Sequence, residues 1–178
     1  NVGCGYDVLG FALEGYGDEL ILTRRHDDQL VIASIEGVQG LPLAPEKNVS
    51  TVAIKTLLAD LDLKQGFDLR IKKNIAAGSG LGSSASSAAA AVYAANEMLG
   101  RPKSQLELIN YAMAGEKLAS TKAHADNVAP SILGGFTAVR SYEPLDVFNI
   151  SYPESLKVVI IFPQIEINTS DAKKILKD

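Results

Sequence analysis

The residues with the clearest chemical reading are Ala77-Gly78-Ser79-Gly80-Leu81-Gly82-Ser83-Ser84, three alternate glycines that end in two hydroxyls and run into the alanine-rich segment Ala85 to Leu99. Glycine has no Cβ, so Gly78, Gly80 and Gly82 can take positive φ and turn backbone N–H groups onto an anion. Ser83 and Ser84 stand where a helix should begin, a place for side-chain caps and for four N–H groups without intrahelical partners. That chemistry is phosphate binding. A helix end contributes roughly 0.3–1 kcal/mol per favourable charge, and up to ~2 when partly buried, so a triphosphate also needs loop N–H contacts and a metal. Two better-known signatures do not fit. A Walker A loop needs lysine before its final hydroxyl residue, and none stands before Ser83. The dinucleotide fingerprint needs a third glycine at Ser83 and an acid after a second strand, where a helix is expected instead.

A second polar concentration runs from Glu116 to Gly135 and holds Glu116, Lys117, Ser120, Thr121, Lys122, His124, Asp126 and Asn127. Asp7 lies in a third candidate segment, the glycine-rich start of the chain. Each has a plainer reading. Asp7 could form an Asx turn, and Glu116 could be a solvated helix carboxylate. His124 could be a loop histidine, and Asn127 could cap a short helix leading to Ile132. Lys122 and Lys173 read as surface charges.

The elements that must position these residues follow from periodicity. Glu19 to Arg25 and Gln29 to Glu36 are β-type runs around Asp27-Asp28, which predicts a hairpin. Asn48 is expected to cap a helix with an apolar stripe at Val49, Val52, Ala53, Thr56, Leu57 and Leu61. Phe67 to Ile75 alternates, with Phe67, Leu69 and Ile71 on one face and Asp68, Arg70 and Lys72 on the other, and feeds the glycine loop directly. The alanine-rich helix offers Ala85, Ala88, Ala89, Val92, Ala95 and Leu99 to the core. Ser104-x-x-Glu107 opens a further helix that continues toward Glu116. Phe136 to Ser141, Val147 to Ile150 and the apolar Lys157 to Phe162 read as strands, and a second α+β lobe is expected to begin near residue 150.

Composition narrows the class. The chain has 178 residues, 47% of them hydrophobic, with a formal net charge of -4 and no basic stripe, which argues against nucleic acid or an anionic membrane surface as partner. Its one cysteine, Cys4, points to a reducing, cytoplasmic setting. The start at Asn1 without methionine, and the stop at Asp178 inside a helix-like run, lead us to expect a fragment.

Gly78-x-Gly80-Leu81-Gly82-Ser83-Ser84-Ala85 resembles the phosphate-binding signature of the GHMP small-molecule kinases. Asn1-Val2-Gly3-x-Gly5-Tyr6-Asp7-Val8-Leu9-Gly10, and His124-Ala125-Asp126-Asn127-Val128-Ala129-Pro130 with Gly134-Gly135, are most similar to the homoserine-phosphorylating members of that family. The resemblance implies an α+β, two-lobed fold, with an ATP-binding N-terminal lobe over residues 1–150 and the start of a C-terminal lobe over 151–178. It implies ATP-dependent, Mg²⁺-assisted phosphorylation of the side-chain hydroxyl of L-homoserine, a step toward threonine. Another small alcohol of the mevalonate or sugar type, or a regulatory protein that binds nucleotide without turnover, are the alternatives. A homodimer stays open.

Carried over residue by residue, the resemblance has Ala76, Ala77, Gly78, Ser79, Gly80, Leu81, Gly82, Ser83, Ser84 and Ala85 hold the ATP phosphates. Ser84 and Glu116 approach Mg²⁺, for which a hydroxyl and a carboxylate are suitable hard donors. Asn1, Asp7, His124 and Asn127 line the amino-acid pocket, Asp7 toward the ammonium and Asn127 toward the attacking hydroxyl. Glu116, Asn127 and Ser84 form the catalytic set. Related sugar and mevalonate kinases are expected to carry an aspartate base where Asn127 stands. An amide cannot take that proton, and since general-base catalysis is typically worth ~10²–10⁴ in rate, the remainder must come from positioning and charge neutralisation. Alanine at position 76 and Cys4 replace family prolines. Thr169 and Lys173 stand where the family has threonine and a carboxylate-binding arginine, and lysine keeps the charge without the bidentate fork.

Overall fold

The computed structural model describes residues 3–119 and 124–161. Strand β4 (Phe67–Lys72) organises the first sheet and alternates as its sequence predicts, with Phe67, Leu69 and Ile71 buried. Its neighbours are β2 (Glu19–Arg24), antiparallel, and β3 (Leu30–Glu36), parallel, in the order β2-β4-β3. The expected hairpin is therefore not formed. The connection after β2 wraps around Gly66 instead: Arg25 N–H donates to the Gly66 carbonyl, Gly66 N–H to that of Asp27, and Phe67 N–H to that of Gln29. A Cβ at Gly66 would lie 2.5 Å from the Asp27 carbonyl oxygen, so glycine is what lets β4 enter between the two strands. Asp27 and Asp68 hold Arg25 across this junction at 2.7 Å each.

The parallel pair needs a crossover, which helix α1 (Val49–Asp60) supplies. Asn48 caps it, its side chain accepting from Ser50 N–H. The buried stripe is Ser50, Thr51, Ala53, Ile54, Leu57 and Leu58, rotated from the expected face, because α1 packs against two helices at once. Those helices are α2 (Ser83–Met98) and α3 (Gln105–Glu116). The alanines of α2 permit the close approach: Ala85, Ala88, Ala91 and Ala95 are fully buried. α3 starts with the anticipated capping box between Ser104 and Glu107.

Helix α4 (Ala125–Leu133) joins this group and leads into a second sheet, with β1 (Leu9–Phe11), β5 (Phe136–Tyr142) and β6 (Leu145–Ile150) in the order β1-β5-β6. β1 rests on α4 so closely that a Cβ at Gly10 would come within 1.7 Å of the Asp126 carbonyl oxygen. The motif that ends at Gly10 and the motif His124 to Pro130 are thereby brought into backbone contact. The strand expected at Lys157 to Phe162 is not formed over 157–161: those residues are exposed and pair with no strand among the described residues. An extended apolar run without a hydrogen-bonding neighbour has no ladder to join.

Candidate active site

The glycine loop leaves β4 through Lys73, Asn74 and Ile75 and enters α2 at Ser83. Gly78, Gly80 and Gly82 have φ of 72°, 74° and 71°, the left-handed conformation that favours glycine. Gly82 itself occupies the N-cap position, with no side-chain cap. Ser83 and Ser84 are therefore not caps, as the sequence suggests, but first-turn residues whose hydroxyls turn elsewhere. Ser83 Oγ donates to the Ile75 carbonyl at 2.8 Å, closing the base of the loop. Ser84 Oγ donates to Glu116 Oε2 at 3.1 Å, joining the start of α2 to the end of α3. Ala76, Ala77, Gly78 and Gly80 are exposed, and Ser79, Leu81, Gly82, Ser83 and Ser84 are half-buried. Ala85 departs from the expected set: it is fully buried and offers core packing, not surface.

Burial pushes the Glu116 carboxyl above the ordinary carboxylate range, the Ser84 hydrogen bond opposes this, and the charge of Asp126 raises it further. A carboxylate held with a hydroxyl in a poorly solvated place suits a hard cation that offsets the cost of its charge. Ser84 and Glu116 thus fit Mg²⁺ as donors.

Asn127 lies in the first turn of α4 and packs on the loop; a Cβ at Gly82 would sit 3.3 Å from Asn127 Cβ and Oδ1. The N-cap of α4 is His124, so Asn127 is not a cap. His124 Nδ1 lies 3.5 Å from Asp7 Oδ2. One ligand atom each from Asp7, His124 and Asp126 lie within 4.8 Å of one another. Asp126, named in the sequence as part of the polar run and of a motif but given no role there, is 1% exposed, and its Oδ1 accepts no hydrogen bond among the described residues. Burial raises its pKa, as does the neighbouring charge of Asp7. Tyr142 was likewise not legible as a site residue. Its hydroxyl donates to the Asp7 carbonyl at 3.0 Å and accepts from Ala125 N–H at 3.2 Å, holding Asp7 at a φ of 62°. Asn1, Thr169 and Lys173 lie outside the described residues.

A cavity of about 620 Å³ opens beside Gly80, Leu81 and Asn127 and is walled by Tyr16, Tyr93 and Pro130. A left-handed glycine loop, a hydroxyl–carboxylate pair and an anionic pocket therefore meet around Gly82 and Asn127. That arrangement can hold a polyphosphate, a hard cation and a small polar molecule that carries positive charge.

Residues 48–135 match the GHMP kinases N terminal domain. The homoserine kinase of Chlorobium phaeobacteroides is 47% identical over 187 residues, covering 99% of this chain and 58% of the relative. That of Methanococcus maripaludis is 39% identical over 178 residues, with the same coverage. The crystal structure of homoserine kinase from Cytophaga hutchinsonii superposes with a TM-score of 0.92 at 46% identity, over 97% of this chain and 55% of that one. The Methanococcus jannaschii mevalonate kinase, at 17% identity and a TM-score of 0.61 over 76% of this chain and 46% of that one, shares the fold. The chain spans 58% of the length of the first two relatives. Its α+β fold is that of the GHMP kinases, and its residues 48–135 match the N-terminal domain of that family.

Proposed function

We propose that the protein containing this chain transfers the γ-phosphoryl group of ATP to the side-chain hydroxyl of L-homoserine, giving O-phospho-L-homoserine on the route to threonine. The observation that carries the reading is the packing of Asn127 against Gly82, which puts the acceptor motif one side chain from the phosphate loop. The curated relatives named homoserine kinase support the choice of acceptor.

In this reading the N–H groups of residues 76–84 bind the phosphates. Ser84 and Glu116 hold Mg²⁺, which when bound neutralises charge on the transferring phosphoryl group. Asp7, with His124 and Asp126 beside it, receives the ammonium of the amino acid, and Asn127 orients the attacking hydroxyl without taking its proton. Positioning and electrostatics supply most of the rate. Asn1, Thr169 and Lys173 complete the pocket, Lys173 on the substrate carboxylate. We assign a lobe boundary near residue 150 and a cytoplasmic setting; among the described residues no helix is long and apolar enough to cross a membrane.

The test is a coupled ADP-release assay on the full-length protein with homoserine, mevalonate and galactose. Release with homoserine alone is expected. Release with mevalonate or galactose but not homoserine rejects the proposed acceptor, and nucleotide binding with no release for any alcohol favours a regulatory role.

A further inference from the structure

Behind the glycine loop lies a buried ion pair that the proposed chemistry does not use. Lys73 is 6% exposed, and its side chain pairs with that of Asp18, which is fully enclosed. The Lys73 ammonium donates to Asp18 Oδ2, to the Ser83 carbonyl at 2.7 Å and to Ser87 Oγ at 2.8 Å, so its three protons are all committed. Asp18 Oδ1 accepts from the N–H groups of Asn74 at 3.0 Å and Ile75 at 3.1 Å. Its Oδ2 also accepts from Ser87 Oγ at 2.8 Å. The Asp18 N–H reaches Ser86 Oγ at 3.3 Å.

The loop 76–82 begins after Ile75 and ends before Ser83, and both of those residues are tied to this one pair. Ser83 Oγ closes the same base by bonding to the Ile75 carbonyl. A buried ion pair is seldom more stabilising than apolar residues of equal volume, because desolvation offsets the attraction. Its partners here are backbone groups at the two mouths of the loop, which apolar side chains could not hold.

We propose that Lys73 and Asp18 are positioning residues for nucleotide binding, setting the separation and orientation of the two loop ends and hence the direction in which the loop N–H groups point. Neither side chain reaches the open face of the loop. The lysine acts through Ser83 and Ser87, not by touching phosphate. The inference rests on the reading of the loop as the nucleotide site and is independent of which alcohol is the acceptor.

The experiment is titration of the full-length protein with a fluorescent ATP analogue, paired with thermal melting and with KM for the acceptor alcohol. Lys73→Met and Asp18→Asn are expected to weaken nucleotide binding about tenfold or more, with acceptor KM within about twofold of wild type. Ser87→Ala removes one hydroxyl that touches both charges while favouring the helix, so it tests the inference if the charge variants do not fold. It is expected to weaken nucleotide binding about threefold with little change in melting. Wild-type nucleotide affinity in the folded variants overturns the inference and leaves the kinase reading standing. So do equal losses of nucleotide and acceptor affinity, which would mark a general structural role. A wild-type protein that binds no nucleotide overturns both.

Discussion

Ser84 Oγ and Glu116 Oε2 lie 3.1 Å apart, a hydrogen bond that links the first turn of α2 to the last residue of α3. In the proposed reaction this pair faces the metal, and burial already disfavours the charged carboxylate. Glu116→Ala should therefore lower kcat by about 10²–10³, the scale of losing one preorganised electrostatic contact. It should also raise the Mg²⁺ concentration needed for half-maximal rate. Steady-state kinetics across a Mg²⁺ series checks both, and wild-type behaviour would remove Glu116 from the site.

The contact of Gly10 with the Asp126 carbonyl leaves no room for a methyl group. The clash is with backbone, which cannot rotate away, so Gly10→Ala should cost at least about 1–3 kcal/mol of stability. For a chain of this size that is a fall in Tm of about 2–4 °C per kcal/mol. Because Asp7 precedes β1 and His124 precedes α4 directly, the two halves of the proposed acceptor pocket should shift with them, and acceptor KM should rise more than nucleotide KM. Equal Tm and unchanged KM values would show that the two motifs tolerate separation.

Much of this architecture is local in origin and so readable from residue order. The alternation of Phe67 to Lys72, the Ser104/Glu107 capping box and the small-residue face of α2 each depend on neighbours within one element. The hairpin expectation failed because β4, more than thirty residues on, enters between β2 and β3, a competition that no local turn propensity at Asp27-Asp28 encodes. Ser83 and Ser84 look like caps until Ile75 and Glu116 claim their hydroxyls. Asp126 was given no role, and Tyr142 was passed over, for the same reason. An aspartate near a helix start and a tyrosine at a strand end are ordinary, and they join the site only when β1 docks on α4 and brings Asp7 to Tyr142 across 135 positions.

Asn127 lies against Gly82, where a related kinase would be expected to carry an aspartate base. As an amide it can orient a hydroxyl but cannot accept a proton. Asn127→Ala should accordingly cost about tenfold in kcat, the worth of one or two hydrogen bonds, and not the ~10²–10⁴ of a lost general base. The pH profile of kcat should keep its shape in the variant. Loss of an acidic limb in the variant would show that a titrating group acts through this position.

Asp126 sets the sign of a pH effect on stability. Burial, and then the charge of Asp7, raise its folded-state pKa above the ordinary carboxylate value, while His124 pulls the other way. The folded protein thus keeps this proton to higher pH than the unfolded chain does. Between the ordinary value and the raised one the native state binds more protons, so stability falls as pH rises through that window. Above it the ionised carboxylate, with Oδ1 accepting no hydrogen bond among the described residues, is a standing cost. Asp126→Asn keeps the shape and removes the charge, and should melt a few degrees above wild type near neutral pH. The gain should vanish below about pH 4, where the unfolded-state carboxylate is protonated as well. Acceptor KM should rise in the same variant, since an amide no longer attracts an ammonium. Thermal melts from about pH 3.5 to 8 decide the matter: a gain that does not change with pH would mean that packing, and not charge, separates the two proteins.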